Sequence, residues 1–440
     1  VSGAVTELTP ENVERVRQLG RICGRVLRSC GINLNNAPSM DVNIEPANPV
    51  IGARSYSDDP ERVAQLATAM TLGMKDAGVI GAIKHFPGHG NVNSDSHLGI
   101  PTNNTEYDSL MQTEFKPFSY AIEAGAEAVM SCHVCYTKVD PETPGTLSRT
   151  IQTGLLRDTF GFKGISMTDC MEMEAIHTYY PDGEGAVRAI EAGIDILTIS
   201  HTYQAASDMA NAIYRALESG RLTEERINRS YERIIAAKER MGLLCRQEIH
   251  PEKAMAEALN PENVAFTRAL AQDAQAVLQG TLNLTPDETL LVVAPTQRPT
   301  TGAEDMKPLS FADEVEKAWG TRGVGTMDFS PSVTEEEMAA VCAQVEEKVS
   351  QGCSQVLLGL FNCRFRRIHL QLLRDLEQKA REGKVKLTVA LLGAPYDLNL
   401  IEGDETVVTC FEYTPLSVSG LIYALEQNRF PGKNPYGRMK

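Results

Sequence analysis

Five short apolar runs, each following an amphipathic segment and each ending in polar or charged residues, set the strongest limit on how the first half of this chain can fold. Thr9-Pro10-Glu11 reads as a helix start, a capping threonine followed by proline in the first turn. Val13, Val16, Leu19, Val26 and Leu27 then recur near helical period until Gly31, and Ile32 to Val42 reads as a strand. The cycle repeats. A helix starting at Ser57-Asp58-Asp59-Pro60 and ending near Ala77 precedes a strand at 79–83. Helices over 112–124, 149–159 and 184–192 precede strands at 127–134, 164–168 and 194–199, and helices at about 205–219 and 223–241 follow. Such alternation predicts a parallel α/β architecture. Polar residues at the carboxyl end of every strand are the habit of a (β/α)8 TIM-type barrel, although only five strands precede residue 245. A doubly wound sheet is the alternative that periodicity leaves open.

Residues 246–262 are charged, contain Asn260-Pro261-Glu262, and read as a linker. A second α/β pattern occupies 263–440, with strands near 289–295, 355–361, 384–393 and 405–413 and a capping box at Thr334 to Glu337. Charge then narrows the partners. Among 440 residues, 42 Lys and Arg face 58 Asp and Glu, a net charge of -16. Nucleic acid and anionic membranes would be repelled by that surface. No apolar run is long enough to span a bilayer, which leaves a polar small molecule as the expected partner. The ten cysteines are scattered through apolar runs and read as reduced thiols, which points to the cytoplasm. The first residue is Val1, so a secretory leader, if the gene encodes one, would precede it.

The densest chemistry lies in Lys84-His85-Phe86-Pro87-Gly88-His89-Gly90, followed by Asp95-Ser96-His97. Pro87, Gly88 and Gly90 exclude regular structure, so this is a loop leaving a strand end, where an α/β barrel keeps its active site. Two functional readings compete. In one, His85, His89, Asp95 and His97 ligate a metal such as zinc. In the other, Asp95 orients His97 for proton transfer, a task suited to an imidazole near neutrality. A structural loop whose histidines bind backbone carbonyls is the bland alternative. The second candidate is Asp169, at the end of Gly164-Ile165-Ser166-Met167-Thr168-Asp169. A carboxylate opposite a proton donor is the minimal kit for retaining glycoside hydrolysis.

The segment Lys84 to His97 resembles the signature loop of the β-N-acetylglucosaminidases of glycoside hydrolase family 3, and Thr168-Asp169-Cys170-Met171-Glu172-Met173 resembles their nucleophile motif. Further similar segments are Ala37 to Val42, Ile51 to Ser55, Leu155-Leu156-Arg157 with Gly161 to Gly164, Ala192 to Asp195, and Phe430 to Pro435. The resemblance implies a TIM-type barrel over 1–245 followed by an α/β/α sandwich over 263–440. It further implies Asp169 as the nucleophile, His97 as general acid and base with Asp95 as its partner, and Arg54, Lys84 and His85 on the sugar hydroxyls. His89 is left as structural. No cofactor and no metal are implied.

Members of the family begin with further barrel strands, including an acidic glycine-rich segment with a sugar-binding arginine, and nothing here matches it. The expectation is therefore an amino-terminally truncated chain, its barrel open at one edge and its sugar pocket incomplete. Cys170 departs from the small or acidic residue found in relatives without touching the mechanism. Cys132 and Cys135 would point to opposite faces of a strand and so do not form a metal pair, while His133 is a candidate for the pocket floor. Glu172 and Glu174 read as solvated charges at a helix start. The single Trp argues against a stacking platform for long polysaccharides. These observations converge on a retaining exo-β-N-acetylglucosaminidase (a β-N-acetylhexosaminidase) acting on small glycosides such as the muropeptides of peptidoglycan recycling. A β-N-acetylglucosaminide phosphorylase and a non-catalytic sugar-binding fragment are the alternatives.

Overall fold

The structure is a computed structural model and describes residues 1–92, 99–245, 248–297 and 308–437. It divides into a unit of Glu7–Asn263 and a unit of Val1–Thr6 with Val264–Lys440. Pro251–Ala258 and Pro261–Ala274, within and just beyond the expected linker, are helices. The first is tied back to the start of the chain, because Arg25 donates to Glu257 at 2.8 Å and to Asn263 at 2.9 Å.

In the first unit, β1 (Leu34–Asn35), β2 (Ile80–Phe86), β3 (Ala128–Ser131), β4 (Ile165–Cys170) and β5 (Ile196–Thr198) form one parallel sheet in chain order. Helices α1 (Pro10–Ser29), α2 (Pro60–Asp76), α3 (Lys116–Glu123), α4 (Thr150–Thr159), α5 (Glu184–Ala192), α6 (Tyr203–Glu218) and α7 (Glu224–Arg240) alternate with the strands or follow them. The α/β class and the five strands stand as read from periodicity. Several bounds move. The strand expected over 32–42 contracts to two residues and a lone bridge between Ser39 and Lys84, because Pro38 has no amide to continue the ladder. The strand expected over 127–134 ends at Ser131, so Cys132 is not on a strand, and Cys135–Tyr136 pairs instead with Thr102–Asn103 in a separate ribbon. The helix expected over 112–124 begins only at Lys116, with Pro117 in its first turn, and the segment 149–159 winds as a wide π-helix.

Side chains alternate across the sheet. Ile83, Phe86 and Val129 pack with Ala67, Phe115, Phe118, Ile151 and Leu155 from the helices on one face. Ile80, Ala82, Ala128, Met130, Ile165 and Met167 point the other way and meet Ala237 of α7, with Met241 beside it. The start signals work as read: the Thr9 hydroxyl accepts from the Asn12 amide at 3.2 Å, and Asp59 accepts from Glu61 at 2.8 Å. Helices α1 and α2 touch at glycines. A Cβ on Gly73 would lie 2.1 Å from the Arg17 carbonyl oxygen, and one on Gly20 would lie 2.5 Å from that of Met70.

The second unit holds β6 (Ala276–Gln279), β7 (Leu290–Pro295), β8 (Gly325–Phe329), β9 (Gln355–Leu360), β10 (Lys386–Leu391) and β11 (Thr406–Thr409), in the order β8-β7-β9-β10-β11-β6. All pairings are parallel except the edge pair β11–β6. Alternate residues of β7 face opposite layers, Val292 toward Phe311, Trp319 and Leu421, and Val293 toward Met338, Leu373 and Leu376. Helices thus cover both faces. Strands β6 and β8 were not legible, one being a short edge strand and the other interrupted by Asp328. The capping box is formed, Thr334 accepting from the Glu337 amide at 3.2 Å and Glu337 from the Thr334 amide at 2.8 Å. Among the described residues no helix is long and apolar enough to cross a membrane.

Gly73→Ala should destabilise the first unit by about 1–3 kcal/mol, because the new methyl meets backbone that cannot rotate away. Urea unfolding followed by circular dichroism would measure it, and an unchanged midpoint would contradict the glycine contact.

Candidate active site

The carboxyl ends of β2, β3 and β4 bring Lys84, His85, His133 and Asp169 to one end of the sheet, and the chain just beyond β1 adds Asp41. Asp41 is fully buried and organises the group. It accepts the Ser39 hydroxyl at 2.8 Å, the His89 amide at 2.6 Å, the His85 amide at 3.2 Å and the His85 Nδ1–H at 2.7 Å. Burial opposes its ionisation, but attraction and hydrogen bonding from His85, then His89 and Ser39, outweigh it and hold the carboxyl far below its ordinary range.

That anchor sets the His85 ring. With Nδ1–H committed to Asp41, Nε2 faces Asp169 Oδ2 at 3.9 Å and Arg54 Nη2 at 3.3 Å. Asp169 is partly open to solvent, its side chain 27% exposed, and its Oδ1 accepts the Cys170 amide at 2.8 Å. Burial raises its carboxyl, and His85, His133, the Cys170 amide and Lys84 together pull it below the usual range. Lys84 is shifted down, chiefly by burial and then by Arg54, while Asp169 and Asp41 pull it back up. The result is an ionised carboxylate ringed by cationic and hydrogen-bonding groups, able to attack an electrophilic carbon.

His133 is buried beneath this carboxylate. Its Nε2 lies 3.0 Å from the Cys170 carbonyl and its Nδ1 lies 2.9 Å from the Thr146 hydroxyl, which also meets Ser131 at 2.8 Å. It therefore braces the chain at the end of β4. His89 is buried, its amide bound to Asp41 and its carbonyl to the Asn48 side chain at 2.7 Å. Burial, then repulsion by His85, pushes its imidazole down to about 4, so it is neutral near pH 7. Gly90 lets the loop pass Val42, whose carbonyl oxygen would lie 1.8 Å from any Cβ there. The Tyr136 hydroxyl closes the turn by donating to the Gly88 carbonyl.

Asp95 and His97 lie outside the described residues. Of the residues read from sequence, then, Arg54, Lys84, His85 and Asp169 are brought together, and the Asp95–His97 pair is not placed. The metal reading also needed Asp95 and His97; among the described residues no three His, Cys, Asp or Glu side chains group as a metal site. Two residues escaped sequence reasoning. Asp41 gave no local signal beyond its place after a strand. Glu172, read as a solvated charge, instead accepts from the Ser200 amide at 2.8 Å, the His201 amide at 2.6 Å and the Thr202 hydroxyl, tying the loop after β4 to the loop after β5. Against a burial cost, these bonds bring its carboxyl down to about 2.

The model of the glycosyl hydrolase family 3 N terminal domain matches residues 6–237. The chain belongs to glycosyl hydrolase family 3. It is 33% identical over 236 residues to beta-hexosaminidase A of Pseudoalteromonas piscicida, an alignment covering 50% of this chain and 40% of that protein. It is 41% identical over 183 residues to a beta-hexosaminidase of Tolumonas auensis, covering 41% of this chain and 53% of that protein. The chain thus spans less than two thirds of either curated relative. Among solved structures, a family 3 beta-N-acetylglucosaminidase from Paenibacillus sp. FPU-7 superposes with a TM-score of 0.88 at 34% identity, covering 99% of this chain and 81% of that one.

The Glu172 ties predict a pH-dependent contribution to stability. Its folded pKa is depressed, so the contribution is present above the ordinary glutamate value of 4.5 and fades as pH falls toward about 2. Glu172→Gln should cost about 1 kcal/mol at pH 7, allowing for solvent screening. The gap from wild type should narrow below pH 4.5 in thermal unfolding at stepped pH. A gap that widened in acid would contradict the assignment.

Proposed function

We propose that this family 3 chain carries the catalytic carboxylate of a retaining exo-β-N-acetylglucosaminidase. The observation that carries the reading is Asp169, an ionised and partly open carboxylate at the end of β4 beside His85, Lys84 and Arg54. The named activities of the Pseudoalteromonas, Tolumonas and Paenibacillus relatives support the N-acetyl sugar as the substrate.

In the first step Asp169 attacks the anomeric carbon, the glycosidic bond breaks, and a covalent glycosyl-aspartate forms while His97, paired with Asp95, gives its proton to the departing oxygen. In the second step His97 takes a proton from water, hydroxide adds to the anomeric carbon, and the Asp169 ester bond breaks. Arg54, Lys84 and His85 hold the sugar hydroxyls. Small glycosides such as muropeptides are the proposed natural substrates, and the ten unpaired thiols support a reducing, cytoplasmic setting for the barrel over 1–245 and the sandwich over 263–440.

The test is release of nitrophenol from its N-acetyl-β-glucosaminide, beside the plain β-glucoside, by the complete gene product. Turnover of the N-acetyl sugar is expected. Asp169→Asn should lower kcat by about 1,000-fold or more. His97→Ala should cost about 100- to 10,000-fold on poor leaving groups and far less on good ones. Because the Asp169 carboxyl is depressed, the acidic limb of kcat/KM should fall below the ordinary aspartate value of 3.8. Turnover of neither glycoside by folded protein would overturn the reading. Formation of a sugar 1-phosphate on adding phosphate would replace hydrolysis with phosphorolysis.

A further inference from the structure

At the opposite end of the sheet, below the amino ends of β4 and β5, cationic side chains crowd together in a protein whose net charge is -16. A cleft of about 270 Å³ is lined by Arg149, Arg157, Lys163, Arg226, Arg229 and Arg233, with Asp158 as its acidic member. A second cleft of about 300 Å³ opens beside it and shares Lys163, Arg229 and Arg233. Among the described residues two carboxylates form ion pairs with these six cations, Asp195 and Glu225. Asp195 takes Arg157 at 2.9 Å and Arg233 at 2.8 Å, and Glu225 takes Arg229 at 2.7 Å. Arg149, Lys163 and Arg226 form no ion pair among the described residues, and the other carboxylates lining the two clefts are Asp158, Glu232 and Glu127, the last taken by Arg240 at 2.9 Å.

The crowding is built into the fold. Arg157 is held nearly buried by the carbonyls of Phe162 and Gly164 at 3.1 and 2.7 Å and by the Ser166 hydroxyl at 2.9 Å. Arg226 is held by the carbonyls of Ile190 and Ile194 at 2.8 and 2.6 Å. These anchors keep guanidiniums close despite their repulsion: Arg157 feels Arg233 and Arg226, and Arg226 feels Arg233, Arg229 and Arg149. An independent feature points the same way. Arg149, Thr153, Arg157 and Asp158 reach the cleft from α4, wound as a π-helix, a form that recurs at functional sites and stacks residues four to five apart on one face. Lone salt bridges would call for one carboxylate per arginine; this array has room and charge left over for an anion.

We propose that this basin binds a phosphate-class dianion, either free inorganic phosphate or the phosphoryl group of a small phosphorylated metabolite. Planar guanidiniums converging from α4 and α7 match the tetrahedral oxygens bidentately. The site is separate from the catalytic end. Ile165 and Asp169 lie at opposite ends of β4, about 13 Å apart at strand rise, and Lys163 lies further out. The proposal does not depend on the glycosidase reading.

Thermal unfolding of the protein would test it, comparing sodium phosphate with sodium chloride at matched ionic strength. Phosphate at a hundredfold excess over its dissociation constant should raise Tm by about 3 °C, and chloride should not. The double variant Arg149→Gln/Arg229→Gln should lose most of the shift and keep wild-type turnover of the aryl glycoside. Among the described residues its two side chains otherwise hold only the Glu191 carbonyl and exposed Glu225, so the Asp195 network stays intact. Arg54→Gln, which removes a cation of the catalytic end, should keep the shift, which separates this basin from phosphate bound at the catalytic end. Glucose 6-phosphate saturating at a tenth of the phosphate concentration or less would identify a phosphorylated metabolite, and equal saturation would identify the free anion. An equal shift in chloride, a full shift in the double variant, or a shift abolished by Arg54→Gln would overturn the proposal.

Discussion

A single buried carboxylate organises the catalytic end of the first unit. Asp41 has no access to water, and its ionised form is maintained only because four donors, two of them the backbone amides of His85 near the end of β2 and of His89 in the loop beyond it, converge on its two oxygens. A buried charge without such partners would be prohibitively costly, so the loop and the carboxylate hold each other in place. The consequence reaches the chemistry directly. Asp41 claims one nitrogen of His85, which turns the other toward Arg54 and Asp169. The reacting carboxylate proposed at Asp169 thus sits in an environment set one shell further in.

The other end of the sheet is organised by a second buried carboxylate with the opposite balance. Asp195 gathers Arg157, Arg233 and the Ser230 hydroxyl, the last at 2.6 Å, and joins α4, α7 and the start of β5. At the catalytic end one anion is over-supplied with donors, whereas here cations outnumber the anions that brace them. That contrast explains how one sheet can present a reactive carboxylate at one end and an anion-attracting basin at the other.

Local rules carried far along the chain. Thr9, Asp59 and Thr334 cap the helices they precede, and the five apolar runs of the first half are the five strands. Lys84, His85 and Asp169 were legible because each ends a strand, and in a parallel α/β sheet strand ends converge. Asp41 was not legible in its role because its partners lie 44 and 48 residues away, a distance no periodicity encodes. Glu172 failed for the same reason: its partners are 28 to 30 residues on, in the loop after the next strand. The linker region misled differently, since its charge hid a helix whose Glu257 reaches back to Arg25.

By itself, the amino-acid sequence determined the alternation of strand and helix, the caps that start the helices, and the residue types at the strand ends, because each depends on neighbours within a few positions. Tertiary structure alone decided which carboxylates are ionised, which nitrogen of His85 faces Asp169, and where positive charge accumulates. Those properties follow from burial and from groups brought together across tens of residues, and both exist only once the sheet has formed.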